Sequence, residues 1–303
     1  MQAELVLAAD ALVRATPLVI AGLAVALAFR GGVFNIGAEG QLLVGAIAST
    51  AVSLALGKTL GSIVILVALP AAAIAGALWA GIAAELRRRF HVLEIISTIM
   101  LNFIAIHLVS YLVRGPLQEP MRIYPQTESL PASAQLPLLL PGTRLHAGFA
   151  LAVVMAIGLS WMLRKTAIGF RIRATGASPL AARIAGRIDI ERTSFSVFLV
   201  SGALAGVAGG VEVSGVTFAL YENLSPGYGY TAIAVALIAG LNPLGIVASG
   251  IFFGILETGA SALQREFAIP ASLASVVEAA LIIAALTFAA LRGRRLTGRL
   301  STS

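Results

Sequence analysis

Apolar runs and short polar breaks alternate along this chain at the length of a membrane-crossing helix. Runs of spanning or near-spanning length fall near 11–29, 41–57, 61–84, 93–113, 147–163, 193–217, 230–241, 244–263 and 271–290. Judged against the roughly 20 residues a crossing helix needs, they predict an all-α, polytopic transmembrane helix bundle of about nine spans in one domain, 1–303. The 230–241 run is too short to cross alone. Pro226, Gly227, Gly229, Gly240 and Pro243 beside it predict a broken or re-entrant helix lining a cavity.

A basic stretch, 164–192, interrupts this pattern with Arg164, Lys165, Arg171, Arg173, Arg183, Arg187 and Arg192 against Asp189 and Glu191. With Arg87 to Arg89 and Arg292 to Arg299, it holds 14 of the 21 Lys and Arg. All three clusters flank apolar runs, so positive-inside topology accounts for the net charge of +7 and no nucleic-acid partner is expected. Placing the clusters in the cytosol puts Leu112 to His146, Phe218 to Gly229 and Gln264 to Ile269 outside. The same parity puts the N-terminus outside, and an additional N-terminal span missing from this sequence would explain that.

The external segment 114–146 carries six of the chain's 12 prolines, which predicts an ordered extracytoplasmic loop and not a helix. Its mixed charges fit a docking surface or a solvated connection equally well. Ala24-Val25-Ala26-Leu27 and Ala234-Val235-Ala236-Leu237, each followed by a Gly-rich break, form a weak internal echo. Two pseudo-repeated half-bundles with broken helices and a chance match are both open.

Composition agrees with a bilayer protein: 58% of residues are hydrophobic and 12% charged, too little polar surface to coat a soluble globule. The absence of Cys excludes disulfides and thiolate metal sites. Met1 to Asp10 carries two acids and no basic region, unlike a cleavable signal. Gly57-Lys58-Thr59 resembles the tail of a phosphate-binding loop, but Val52 stands where its first Gly belongs, so this chain should not bind ATP by itself. Three scattered His give no metal motif. Ser201-Gly202, Gly206 and Gly209-Gly210 read as small residues for close helix packing, not as a nucleophile elbow. No catalytic residue, cofactor or metal is expected.

Three motifs carry the chemistry. Phe34-Asn35-Ile36-Gly37-Ala38-Glu39-Gly40-Gln41 would expose backbone groups between two spans, either at a substrate-facing turn or at an ordinary cytosolic one. With Glu94-Ile95-Ile96-Ser97-Thr98-Ile99-Met100-Leu101-Asn102 and Tyr230-Thr231-Ala232-Ile233-Ala234-Val235-Ala236-Leu237, followed by Leu241-Asn242-Pro243-Leu244-Gly245, it resembles the permease subunits of bacterial ABC importers for nucleosides. Those are relatives of the ribose and branched-chain amino acid permeases. The resemblance covers the chain from about Thr16 to Leu291.

The resemblance implies a second permease subunit, a different chain by expectation, together with a separate cytosolic ABC ATPase. It also implies an extracytoplasmic solute-binding lipoprotein and a multi-pass location in the bacterial inner membrane. Members usually begin with one more helix, in agreement with the parity. Glu278-Ala279 departs from the Gln-Gly of relatives, so substrate contacts there are not carried over.

Within the basic loop, Ser178 can cap a helix that starts at Pro179 and stops at Gly186. A two-turn helix there, spanning Gly176, Ala177, Ser178, Pro179, Leu180, Arg183, Ile184 and Gly186, matches the coupling helix such permeases insert into the ATPase. Leu180 and Ile184, spaced i and i+4, supply its apolar face. A helix lying on anionic lipid is the competing reading.

Nucleosides need stacking faces and hydrogen-bond partners, which makes Phe34, Asn35, Glu39, Asn102, Tyr228, Tyr230 and Asn242 candidate substrate contacts. An interfacial-anchor role competes for Tyr228 and Tyr230. A sugar or branched-chain amino acid cargo is the nearest alternative function. A proton-coupled secondary transporter using Glu212, Glu257 or Glu278 is a further one.

Overall fold

The computed structural model describes residues 2–186 and 188–267, with scattered positions between 276 and 287. The run at 271–290 falls largely outside the described residues, and Arg187, Glu278 and the Arg292 to Arg299 cluster lie wholly outside them.

The described chain is helical. Its helices are α1 (Gln2–Arg30), α2 (Ala38–Leu60), α3 (Ile65–Phe90), α4 (Glu94–Arg114), α5 (Ala147–Lys165), α6 (Ala167–Ala177), α7 (Pro179–Gly186), α8 (Ile190–Glu212), α9 (Tyr228–Ile238) and α10 (Pro243–Phe267). Among the described residues, six stretches are long and apolar enough to cross a membrane, and one of them, Ala38–Phe90, contains both α2 and α3. These two helices pack on each other as a hairpin that reverses at Gly61, whose φ of 55° is open to glycine without strain.

Helix α1 is the axis of the bundle. From Leu18 to Ala28 every apolar side chain is fully buried, as expected of a helix that is hydrophobic all round. Helices α5, α8, α9 and α10 surround it. On its far side α8 packs against α2 and α3 through a seam of small residues. A Cβ on Gly45 or Gly76 would overlap the backbone of Gly206 or Gly202, and one on Gly209 would strike the carbonyl of Leu42. Lipid tails are as apolar as Leu, so dispersion across touching backbones holds such helices together.

One end of the bundle is basic. Arg87 pairs with Glu94 there, Arg88 lies 5.6 Å over the Phe195 ring, and Arg164 reaches Asn242. The segment expected to be an external loop covers the opposite end, with only a 3₁₀ turn at Ala132–Ala134. It is tied down by backbone bonds: Thr127 N–H to Leu220 O (2.9 Å), Leu130 N–H to Phe218 O (2.7 Å) and Leu136 N–H to Ser214 O (2.8 Å).

Two local expectations change and one feature is new. Helix α10 runs to Phe267, so Gln264 to Phe267 are helical and not a link. A π-helical turn, Val213–Thr217, ends α8, and no period in the sequence marks it. The basic loop holds two helices: Gly176 and Ala177 form the last turn of α6, before the expected coupling helix, and only Pro179–Gly186 is α7.

Candidate functional site

The three motifs meet where α1 breaks. After Arg30 the chain leaves the helix at Gly31, and the segment as far as Gly37 runs back into the bundle alongside α9. Arg30 Nε donates to Leu241 O just beyond the C-terminus of α9 (2.7 Å), whereas Glu39 Oε2 accepts from Gly229 N–H at the N-terminus of α9 (2.7 Å). The 11 residues of α9 rise about 16 Å, so α2 starts well inside the bundle and not at its surface.

A backbone entering at that depth must find hydrogen bonds inside the protein. Helix α4 supplies them from Glu94 and Asn102, positions i and i+8 of one face, with Thr98 packed between them. Glu94 Oε1 accepts from Phe34 N–H (2.7 Å), and Thr98 packs where a Cβ on Gly37 would lie (3.0 Å). Asn102 accepts from Gly40 N–H (2.8 Å) and donates to Ile36 O (3.0 Å) and Tyr230 Oη (3.2 Å).

A second buried network lies behind this one. Asn35 Nδ2 donates to Gln41 Oε1 and Ser201 Oγ (both 2.9 Å), and its Oδ1 accepts from Gln41 Nε2 (2.9 Å) and Gly37 N–H (3.0 Å). Ser201 in turn donates to Ala24 O (2.8 Å). Both donors of Asn35 and both its acceptor sites are used, so it pins the break and has nothing left for a solute.

Of the predicted contacts, the structure gathers Glu39, Asn102 and Tyr230. Tyr230 accepts from Asn102, which leaves its own O–H free, and its side chain is 42% exposed. Glu39 is 3% exposed and lines a cavity of about 260 Å³ with His107, Ser110, Glu222, Asn223 and Ser225. Glu222 is held by Arg114 (2.6 and 2.7 Å) and by Ser110, and these bonds pull its carboxyl down to about 2. This wall is rich in acceptors and hydroxyls, chemistry that suits hydroxyl and ring N–H donors.

The other predicted contacts lie elsewhere. Phe34 is 52% exposed at the basic end, beside Arg87 and His91. Asn242 caps α10 through Leu244 N–H (3.3 Å) and meets Arg164. Tyr228 turns into a different cavity with Glu212. No motif or period in the sequence marks His107, Ser110, Glu222, Asn223 or Ser225 as lining this cavity. Only their approach in three dimensions marks them.

At the basic end, α6 lies directly under the α1 break. A Cβ on Gly176 would collide with the carbonyl of Arg30, and one on Gly32 would come 3.1 Å from the Gly176 Cα. Beyond α6, Ser178 Oγ accepts from Ala181 N–H (3.4 Å) at the start of α7. Leu180 and Ile184 are 69% and 75% exposed on α7.

A multi-pass helical bundle with a re-entrant break, a polar wall inside it and an apolar helix displayed at its basic end defines a membrane transport protein. The chain belongs to the family described as branched-chain amino acid transport system / permease component, whose model matches residues 7–286. It is 39% identical over 284 residues to the glucose ABC transporter permease protein TsgB13 of Haloferax volcanii, covering 90% of this chain and 74% of the relative. It is 37% identical over 274 residues to the guanosine ABC transporter permease protein NupP of Bacillus subtilis, covering 88% and 77%. It is 31% identical over 275 residues to the nucleoside ABC transporter permease protein NupB of Lactococcus lactis, covering 88% and 75%. No solved structure matches the chain.

Proposed function

We propose that this permease carries nucleosides as one half of an ABC importer in a bacterial inner membrane. The other half is a second, different permease chain. A separate cytosolic ATPase supplies the energy, and an extracytoplasmic lipoprotein delivers the solute. In this reading the bundle has about nine spans arranged as two half-bundles, whose breaks after α1 and α9 are bonded to each other by Arg30 and Leu241. Residues 1–303 act as one permease domain with an extracytoplasmic loop at 114–146 and a cytosolic coupling loop at 164–192.

The observation that carries this reading is the convergence of Glu39, Asn102 and Tyr230 at the break, beside a polar cavity. Tyr230 offers an aromatic face and a free hydroxyl to a base, and Glu39 offers a carboxylate to ribose or ring donors. Helix α7 engages the ATPase through Leu180 and Ile184, with Arg183 beside them. Its displacement passes through α6 and Gly176 to the break, and the two half-bundles alternate access around that point.

Glucose is the second reading, favoured by the Haloferax relative. Uptake of labelled guanosine, adenosine, uridine and glucose into cells lacking only this gene, with and without it restored, separates the two. Restored guanosine or uridine uptake supports the proposal. Restoration by glucose alone ends it. A proton-coupled carrier predicts instead that Glu212→Gln or Glu257→Gln abolishes uptake while a scrambled 176–186 segment does not.

A further inference from the structure

A second polar cavity, of about 490 Å³, lies toward the loop end, bounded by α1, the π turn, α9 and α10. Its volume is within the roughly 300–1,000 Å³ of small-molecule sites. It is separate from the wall described above, although Asn223 lines both. Glu212 stands in its lining, 3% exposed, and its Oε2 is buried with no hydrogen-bond partner among the described residues. A buried carboxyl oxygen left without a hydrogen-bond partner is costly, and a ligand that brings an N–H or O–H to it removes that cost.

The rest of the lining narrows the ligand. Asp10 and Glu212 share the lining with Arg144 and Arg265, and with Arg14, which lies 3.8 Å from Glu257, so the cavity has no acidic excess to hold a cation. The unpaired group is itself an acceptor and would repel an anion. Tyr221 and Tyr228 add two aromatic faces, while Thr258 and Ser261 add hydroxyls.

We propose that this cavity is a second solute site, taking a neutral ring compound with hydroxyl or ring N–H donors, a nucleoside or a cyclic sugar, whose donor bonds to Glu212 Oε2. Because Asn223 faces both cavities, a solute held here is one side chain away from the wall that contains Glu39.

The test is equilibrium binding of labelled guanosine, uridine and glucose to the whole transporter complex in lipid nanodiscs without nucleotide. This readout does not depend on ATP-driven uptake, so it can fail while the transport reading stands. Wild type is expected to bind one of the probes in two phases. Glu212→Leu removes one phase, weakening it by about tenfold or more. Ser261→Trp, which fills the cavity, removes the same phase. Glu212→Gln keeps an acceptor and the volume and holds binding within about threefold, which separates loss of the site from loss of the fold. The proposal is overturned if wild type binds no probe or binds in one phase. It is equally overturned if the Leu and Trp variants match wild type, or if Gln loses the phase as fully as Leu.

Discussion

Gly32 and Gly176 pack backbone against backbone: a Cβ on Gly32 would come 3.1 Å from the Gly176 α-carbon. The contact joins α6 to the segment that carries Asn35 and leads to Glu39. Movement of α6 therefore reaches the break without any flexible side chain in between.

Gly176→Val should separate the ATPase from transport. In proteoliposomes of the whole complex, ATP-driven uptake is expected to fall by about tenfold or more, the effect of losing roughly 1.4 kcal/mol of coupling, while basal ATP hydrolysis persists. Unchanged uptake would show that the α6 contact transmits nothing.

Asn102→Ala leaves Gly40 N–H buried and unpaired, at a cost of about 1–3 kcal/mol, and takes the donor from the half-buried Ile36 O. A clear fall in the thermal midpoint of the purified complex is expected. Asn102→Asp keeps the acceptor for Gly40 and loses the donor to Ile36, so it should fall between the two. A midpoint equal to wild type in the Ala variant would mean that the break is held by other bonds.

Glu39→Ala and Tyr230→Ala are expected to lower transport in different ways. Glu39 also secures Gly229 N–H, so its loss should reduce both stability and uptake. Tyr230 only receives a bond from Asn102, so its loss should raise the solute concentration for half-maximal uptake by about tenfold and leave the melting point nearly unchanged. Initial rates at varied solute concentration distinguish the two effects.

The loop end should loosen in mild acid through His146. Its ring is fully buried, accepts from Gly148 N–H through Nδ1 (3.1 Å), and is pushed down to about 4 by burial, with Arg144 adding to the shift. The folded state thus resists a proton that the unfolded chain takes up near pH 6.5. The contribution is fully present above that pH and is lost as pH falls toward 4, to a total of about 3 kcal/mol. Glu222 behaves oppositely in origin: its carboxyl is lowered by Arg114 and Ser110, so its contribution is present above 4.5 and fades only toward 2. Protease nicking of the 114–146 loop should rise between pH 6.5 and 4, and His146→Phe should flatten that rise. A rise confined to lower pH would point to Glu222 instead.

Much of the architecture was legible because bilayer length is a strong filter. The short α9, the break at Gly31 to Gly37 and the small-residue face of α8 all follow from apolar run length and Gly placement. The site was legible only in part. Glu39, Asn102 and Tyr230 stand in runs whose pattern is visible, but Asn35, Asn102 and Asn242 carry the same side chain and all satisfy backbone groups, and of the three only Asn102 also meets Tyr230. Whether an amide is spent on the fold or left for a solute depends on its partners, which one chain of letters does not give. The π turn and Glu222 are not legible for a related reason: neither has a local period, and Glu222 gains its partner Arg114 from far away in sequence.

The glycine seam between α2, α3 and α8 also divides labour within the molecule. With main chains in direct touch, those three helices have no side-chain cushion to shear across, so they travel as a single plank. Whatever opens and shuts in each transport cycle must therefore swing at the margins of that plank, where α1 gives way at Gly31 and α9 at Gly240.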